Sequence, residues 1–409
     1  MTVAPASNRR VYAAVLLAAL GYLVDIYDLI LFSIIRIKSL EGIGVPPEEL
    51  LSTGVLLLNM QMGGMLVGGI LWGVLGDKRG RLSVLFGSIM VYSLANIANA
   101  FVDSVPAYAV VRLIAGIGLA GELGAGITLV SELMSKEARG YGTMVVAGVG
   151  FFGGILAAVT GDMLPWRTAY FVGGAMGLLL LLLRIGVYES GMFSAVLEQK
   201  DVERGNFWML FRDRDRALRY LYCILIGLPI WFVLGILITF SPEMGKALGM
   251  AVPPTAGKAF LYVYIGAALG DFVAGFISQK LRSRKKTLAG FLIAKLLVVA
   301  AYLCLRAPSL EVFYGLCGLL GLSSGYWAVF VTVASEQFGT NIRATVTTTA
   351  PNFVRGATVP VTSSFQLLKP GLGIVPSAAL VGAVCFAIAL FSLSRLKETF
   401  GKDLDYLES

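Results

Sequence analysis

Long apolar stretches separated by short polar ones dominate this chain. Apolar runs recur at about 11–36, 51–75, 82–102, 107–133, 140–161 and 168–186. A polar segment follows at 187–217, and six more runs come at about 218–241, 256–279, 287–305, 310–334, 345–366 and 373–394. Each run is about twenty residues long, enough for a helix to cross a hydrocarbon core about 30 Å thick. The pattern predicts an all-α membrane protein with twelve transmembrane helices. They divide into an N-terminal six-helix bundle over 1–186, a cytoplasmic linker over 187–217 and a C-terminal six-helix bundle over 218–409, with a short cytoplasmic tail.

Composition agrees with that pattern. Hydrophobic residues make up 57% and charged residues 14% of the chain, against about 25% charged in a soluble domain. The mean hydropathy is +0.80. A net charge of +8 would suggest a nucleic-acid partner in a soluble chain. Here the cations gather in alternate loops: Lys78, Arg79 and Arg81; Lys136 and Arg139; Lys280, Arg282, Arg284, Lys285 and Lys286; and Arg343. Arg204, Arg212, Arg214, Arg216 and Arg219 add to them, whereas the opposite loops hold scattered cations such as Lys38, Arg167 and Lys369. The positive-inside rule then puts both termini in the cytoplasm of a cell (inner) membrane, with lipid and not nucleic acid as the macromolecular partner. Met1–Arg10 is short and basic and leads into a long apolar run without a small-residue cleavage site, so it reads as a retained first helix. The four cysteines all fall in apolar runs, and no external disulfide is implied. With no histidine in the chain, proton chemistry would fall to carboxylates.

Several short motifs sit between the runs. Gly73-Val-Leu-Gly-Asp77-Lys78-Arg79-Gly80-Arg81 is a charged stretch expected to turn at the membrane face, and Gly275 to Lys285 is a degenerate second copy lacking the acid. Ser131-Glu132 to Arg139 and Ser335-Glu336 to Arg343 both read S-E-x6-R, half a chain apart. Glu189-Ser190 follows the sixth run and Glu398-Thr399 the twelfth, and Arg112-Leu-Ile-Ala-Gly116-Ile-Gly118 lies in the fourth. Such internal repeats fit two bundles rocking about a midplane site.

In register with twelve runs, these motifs resemble the major facilitator superfamily. The branch most similar is sugar-porter-like, including metabolite, aromatic-acid and sialate/lactate:proton symporters and organic-ion transporters. Two departures stand out: Glu189 and Glu398 lack the family's preceding proline, and Ile26 replaces the glycine of the D-G-x-D element at Asp25–Asp28. The resemblance implies a monomeric secondary transporter working by alternating access, driven by the proton gradient, with no cofactor and no metal site. It also implies an inner gate in which Glu132, Glu189, Glu336 and Glu398 pair with Arg81, Arg139, Arg343 or Arg284, with Asp77 in the first charged stretch.

Ionisable residues inside the runs are costly, at about 3 kcal/mol each on insertion scales, and usually face a cavity or a partner. Asp25 and Asp28 share one helical face. By helical rise Asp28 lies about 12 Å and Arg112 about 9 Å below the same surface, so the two can meet. In the resembled proton symporters such an acid and this arginine form the coupling pair. Glu122 is either a second protonation site or an acid held by packing. Arg355, about 15 Å into its run, with Asn352 one turn earlier, resembles the arginine that serves anionic substrates. A guanidinium binds a carboxylate bidentately, and Asp25 or Asp271 could hold it otherwise. Tyr27, Gln61, Trp231, Tyr262, Tyr326 and Trp327 are candidate cavity-lining groups, whereas Lys295 is expected to snorkel from a peripheral helix. The expected activity is proton-coupled symport of a small organic anion. The alternatives are sugar or polyol symport, or export, on the same fold. A sensor would need a longer cytosolic segment than 187–217, and an enzyme a nucleophile–base set or metal ligands that the motifs do not offer.

Overall fold

The computed structural model describes residues 8–79, 81–124, 126, 139–189 and 207–401. Among these, every regular element is helical. In the first half of the chain the helices are α1 (Asn8–Gly42), α2 (Leu50–Arg79), α3 (Arg81–Asn99), α4 (Val105–Leu119), α5 (Arg139–Met163) and α6 (Trp166–Glu189). In the second half they are α7 (Arg214–Leu225), α8 (Leu228–Phe232), α9 (Ser241–Ala247), α10 (Ala256–Leu281), α11 (Arg284–Leu303) and α12 (Leu310–Leu322). α13 (Trp327–Glu336), α14 (Thr340–Gly356), α15 (Thr358–Leu372) and α16 (Ile374–Arg395) complete the set.

Ten helical stretches among the described residues are long and apolar enough to cross a membrane. Two of the twelve expected runs are not among them. The apolar part of α3, Ser83–Asn99, is shorter. The run expected at 345–366 is split at Ala357 into α14 and α15, and α14 carries four threonines between Thr345 and Thr349 as well as Asn352 and Arg355. The charged stretch after residue 73 also differs from expectation, because it is helical as far as Arg79. The second copy does turn. Arg282 adopts a left-handed φ of 49° at the end of α10, and Ser283 then caps α11 by accepting from the amide of Lys286. The expected linker lies mostly outside the described residues. Of the rest, Phe207–Phe211 form a 3₁₀ turn against Phe353, and α7 begins at Arg214.

Packing repeats between the halves. α1 lies on α5, α2 on α4, and α3 on α4 and α6, whereas α10 packs on α12. A Cβ at Gly116 of α4 would collide with the Gln61 carbonyl on α2, and one at Gly321 of α12 with the Val263 carbonyl on α10. Small residues let membrane helices approach this closely, where dispersion and not water exclusion holds them together. Contacts between the halves run through α5 with α10 and α2 with α14.

The second half is the more broken one. Ile226 and Gly227 separate α7 from α8, which has Pro229 in its first turn and passes into a π-helical turn at Val233–Ile238. Ser323 to Tyr326 separate α12 from α13. Irregular backbone at membrane depth is tolerated where it is buried in protein or lines a cavity.

Candidate functional site

A cavity lies where the two halves meet, beside these breaks. α1 contributes Tyr22, Ile26 and Leu29, α5 Phe151, α8 Ile230 and Trp231, and the π-helical turn Leu234. From α10 come Val263, Tyr264 and Ala267, and from the segments beyond it Ser324, Trp327 and Arg355. The wall is mostly aromatic and aliphatic, with few polar groups, as in sites for small organic ligands. Of the lining residues expected from sequence, Trp231 and Trp327 are in place.

Arg355 is the one cation among these lining residues. It is 1% exposed, and its Nη2 donates across the halves to Oδ2 of Asp25, itself fully buried, at 3.4 Å. Of the two acids expected as its partner, Asp25 is the one in contact. Asp271 instead accepts from the Ala328 amide at 3.3 Å, at the start of α13. The Arg355–Asp25 contact is long and single. Among the described residues, Nε and Nη1 of Arg355 and Oδ1 of Asp25 have no hydrogen-bond partner. Removing two charges from water costs several kcal/mol per ion, repaid only when geometry is good and the remaining donors and lone pairs are met. Here they are not, so the guanidinium retains donors for another anion.

The other candidates are arranged differently. Asp28 and Arg112 are both buried, but no ion pair joins them. Arg112 donates to Oε1 of Gln61 and lies over the Phe32 ring, 4.6 Å from its centroid, while among the described residues neither Asp28 oxygen has a partner within hydrogen-bond geometry. Equal depth did not bring the two together, because Arg112 turns toward α2. Glu122 is held by a partner that the sequence reading missed. Arg184 of α6 grips both carboxylate oxygens, through Nη2 and, at 3.1 Å, through Nη1. Tyr27 donates to the Ala169 carbonyl at 2.9 Å, and Tyr326 to that of Ile226 at 3.4 Å, so neither hydroxyl is turned to the cavity. Tyr262 is 43% exposed and stacked on Tyr314, on the outer surface. Lys295 does not snorkel. It is fully buried and donates to Ser324 at 2.8 Å.

Further contacts tie the halves together, among them those of Asn59 with Thr362 and Ser363. Arg36, near the end of α1, donates to both oxygens of Glu243 on α9 at 2.6 and 2.8 Å and lies over Phe240. Asn352 donates to the Ala120 carbonyl at 2.8 Å, which makes it a tie between α14 and the end of α4 and not a lining residue. Arg36 and Glu243 had no role in the sequence reading, because neither lies in a motif.

The expected inner gate is described only in its second half. Arg284 pairs with Glu336 at 3.5 Å, and Thr399 donates to the same glutamate at 2.7 Å. Arg343 donates to the carbonyls of Ser335 and Phe338, among other contacts. Glu398 accepts from the Ser283 hydroxyl and from the amides of Arg284 and Lys285, at the start of α11, in place of an arginine side chain. Burial pushes the Glu398 carboxyl up, but that hydroxyl and the amides of Phe400, Arg284 and Thr399 outweigh it and hold the group below its ordinary value. Glu132 lies outside the described residues, and so do the side chains of Asp77, Arg81, Arg139 and Glu189.

Known proteins give a consistent picture. The gentisate transporter of Corynebacterium glutamicum is 25% identical over 98% of this chain and 91% of its own. The 3-(3-hydroxy-phenyl)propionate transporter of Escherichia coli (strain K12) is 28% identical, over 87% of this chain and 91% of its own. The cis,cis-muconate transport protein of Acinetobacter baylyi is 27% identical over 94% of both. The crystal structure of a D-xylose-proton symporter shares the fold, with a TM-score of 0.71 over 96% of this chain and 99% of that one, at 18% identity. The family model for the Major Facilitator Superfamily matches residues 48–357. This chain belongs to that superfamily, and is a multi-pass membrane transporter, not an enzyme.

Proposed function

We propose that the protein carries a small organic acid anion across the cell membrane by proton-coupled symport and alternating access. In this reading twelve helices cross the bilayer, both termini are cytoplasmic and the monomer is the working unit. The observation that carries the proposal is the Arg355–Asp25 contact, a loose ion pair spanning the halves at the cavity wall. A substrate carboxylate can replace Asp25 on the guanidinium, and a proton can then neutralise the released Asp25. Charge is balanced in both states, which is what a low-dielectric cavity demands. Exchange also removes a tie between the halves, so anion and proton together favour rearrangement by their differential affinity for the two states. Asp28, buried and without a hydrogen-bond partner among the described residues, is a second proton carrier in the same half. The relatives named for aromatic and unsaturated acids support the substrate class.

Binding of mono- and dicarboxylates, with neutral sugars as controls, tests this on wild type, Arg355→Ala and Arg355→Lys. Loss of one side of a desolvated charge pair costs about 2–5 kcal/mol, so Arg355→Ala should bind acids roughly 30-fold or more weaker. Arg355→Lys keeps the charge but not the planar fork, and should also bind clearly worse. Sugars binding in place of acids, or acid affinity within about twofold in Arg355→Ala, would make Arg355 structural.

A further inference from the structure

Lys295 carries a buried amine that the exchange at Arg355 does not use. It is fully buried on α11, and its Nζ donates to Oγ of Ser324 at 2.8 Å. The Tyr326 ring lies beside it, with its centroid 5.6 Å from Nζ. Among the described residues no carboxylate lies within ion-pair distance of it. An ammonium has three donors, and one hydrogen bond does not offset the cost of burying that charge. A methionine would fill the same space at lower cost, so the amine is poorly explained by packing alone.

Its one partner faces the cavity. Ser324 sits in the break between α12 and α13 and lines the same cavity as Arg355. Its own proton goes to the Leu320 carbonyl at 2.6 Å, so toward Lys295 it acts as an acceptor. Ser324 therefore stands to Lys295 as Asp25 stands to Arg355. Each is an oxygen that occupies a nitrogen donor until a better acceptor arrives, Ser324 on the cavity wall and Asp25 beside Arg355. Trp231 and Trp327, on the same wall, offer flat apolar surface for the body of a ligand.

We infer that Lys295, with Ser324 as its place-holder, is a second anchor of this cavity, selecting planar or unsaturated acids that carry a second oxygen function, a carboxylate or a ring hydroxyl, away from the first. The inference rests on the organic-acid reading above. Arg355 holds the first carboxylate, and the free donors of Lys295 hold the second group.

Titration calorimetry on the purified full-length protein tests this with three probes: benzoate, gentisate and cis,cis-muconate. Lys295→Met should weaken gentisate and cis,cis-muconate about tenfold or more and leave benzoate within about twofold, whereas Arg355→Ala should weaken all three. Ser324→Ala removes the competing acceptor and should tighten gentisate and cis,cis-muconate relative to benzoate, and it carries the test if Lys295→Met does not fold. Equal change for all three acids, or no change for any, in the folded variants of these two residues would overturn the second anchor while leaving Arg355 in its role. A wild-type protein that binds none of the three acids would overturn the organic-acid reading and this one with it.

Discussion

Two buried arginine–carboxylate pairs in this protein show how differently the same chemistry can be held. Arg184 and Glu122 lie within the first half, on α6 and in the stretch just after α4. Arg184 meets both oxygens of Glu122, and it also approaches the carbonyls of Leu17 and Leu85 at 3.4 Å each. Arg355 and Asp25 join the two halves through one contact at 3.4 Å, with three polar atoms unmatched. A bidentate, well-surrounded pair recovers much of its desolvation cost and resists rearrangement. A long single contact recovers little, and a competing anion can displace it cheaply. The first pair is suited to holding one bundle rigid. The second is suited to being exchanged.

That contrast can be broken by mutation. Glu122→Gln leaves the Arg184 charge buried without a counterion. Such losses typically destabilise by about 3–5 kcal/mol, so a large fall in melting temperature is expected in detergent. Acid affinity of the folded fraction should stay near wild type, since neither residue lines the cavity. Melting unchanged from wild type would show that the pair contributes no rigidity. Asp25→Asn should do the reverse. Because the contact it removes is weak, melting should move less than in Glu122→Gln. Anion binding should persist or tighten, because a competitor for Arg355 is gone, while accumulation against a gradient is lost. Asp28→Asn, assayed alongside it in proteoliposomes, separates the two acids. Full concentrative uptake by either variant removes that residue from coupling.

Much of this was legible in the sequence, for reasons that also explain what was not. A helix that crosses lipid must be apolar for about twenty residues, so the runs announce themselves, and a charge inside one is conspicuous. Arg355 and Asp25 stood out in that way, and helical rise placed Arg355 near the midplane. Rotation about the helix axis was harder to read. Where both lipid and core are apolar, periodicity no longer marks the inner face, so Tyr262 was placed in the cavity and Lys295 outside it. Depth alone brought Asp28 and Arg112 together on paper, whereas the rotation of α4 sends Arg112 to Gln61. The partner of Glu122 was hidden for a related reason. Arg184 lies near the end of its run, where an arginine reads as snorkelling. Helix breaks were equally silent, because Ser323, Ser324 and Gly325 are ordinary residues in packed membrane helices.

The smallest expected effect concerns Glu398, which sharpens the comparison from the outside. Like Asp25 it is a carboxylate, but it lies beside the cation-rich start of α11, beyond the last apolar helix, and it is well satisfied. It accepts from the amides of Arg284 at 2.9 Å, Thr399 at 3.0 Å and Phe400 at 3.1 Å, besides the Ser283 hydroxyl. Burial works against its charge, but these donors outweigh it, and the carboxyl is held below the ordinary value of 4.5. A group whose folded-state value is depressed contributes stability above its unfolded value, and that contribution is lost as pH falls through the folded one. Exposed charge interactions are worth about 1 kcal/mol or less, so Glu398→Gln should lower the melting temperature slightly at neutral pH. The difference from wild type should hold constant down to the ordinary carboxylate value and shrink below it, as the wild-type group takes up its proton. A difference that persists undiminished in acid would mean that hydrogen-bond geometry, and not charge, anchors the tail to α11. Acid affinity at neutral pH should not change in this variant, because the carboxylate is fully engaged at the start of α11 and takes no part in the exchange at Arg355.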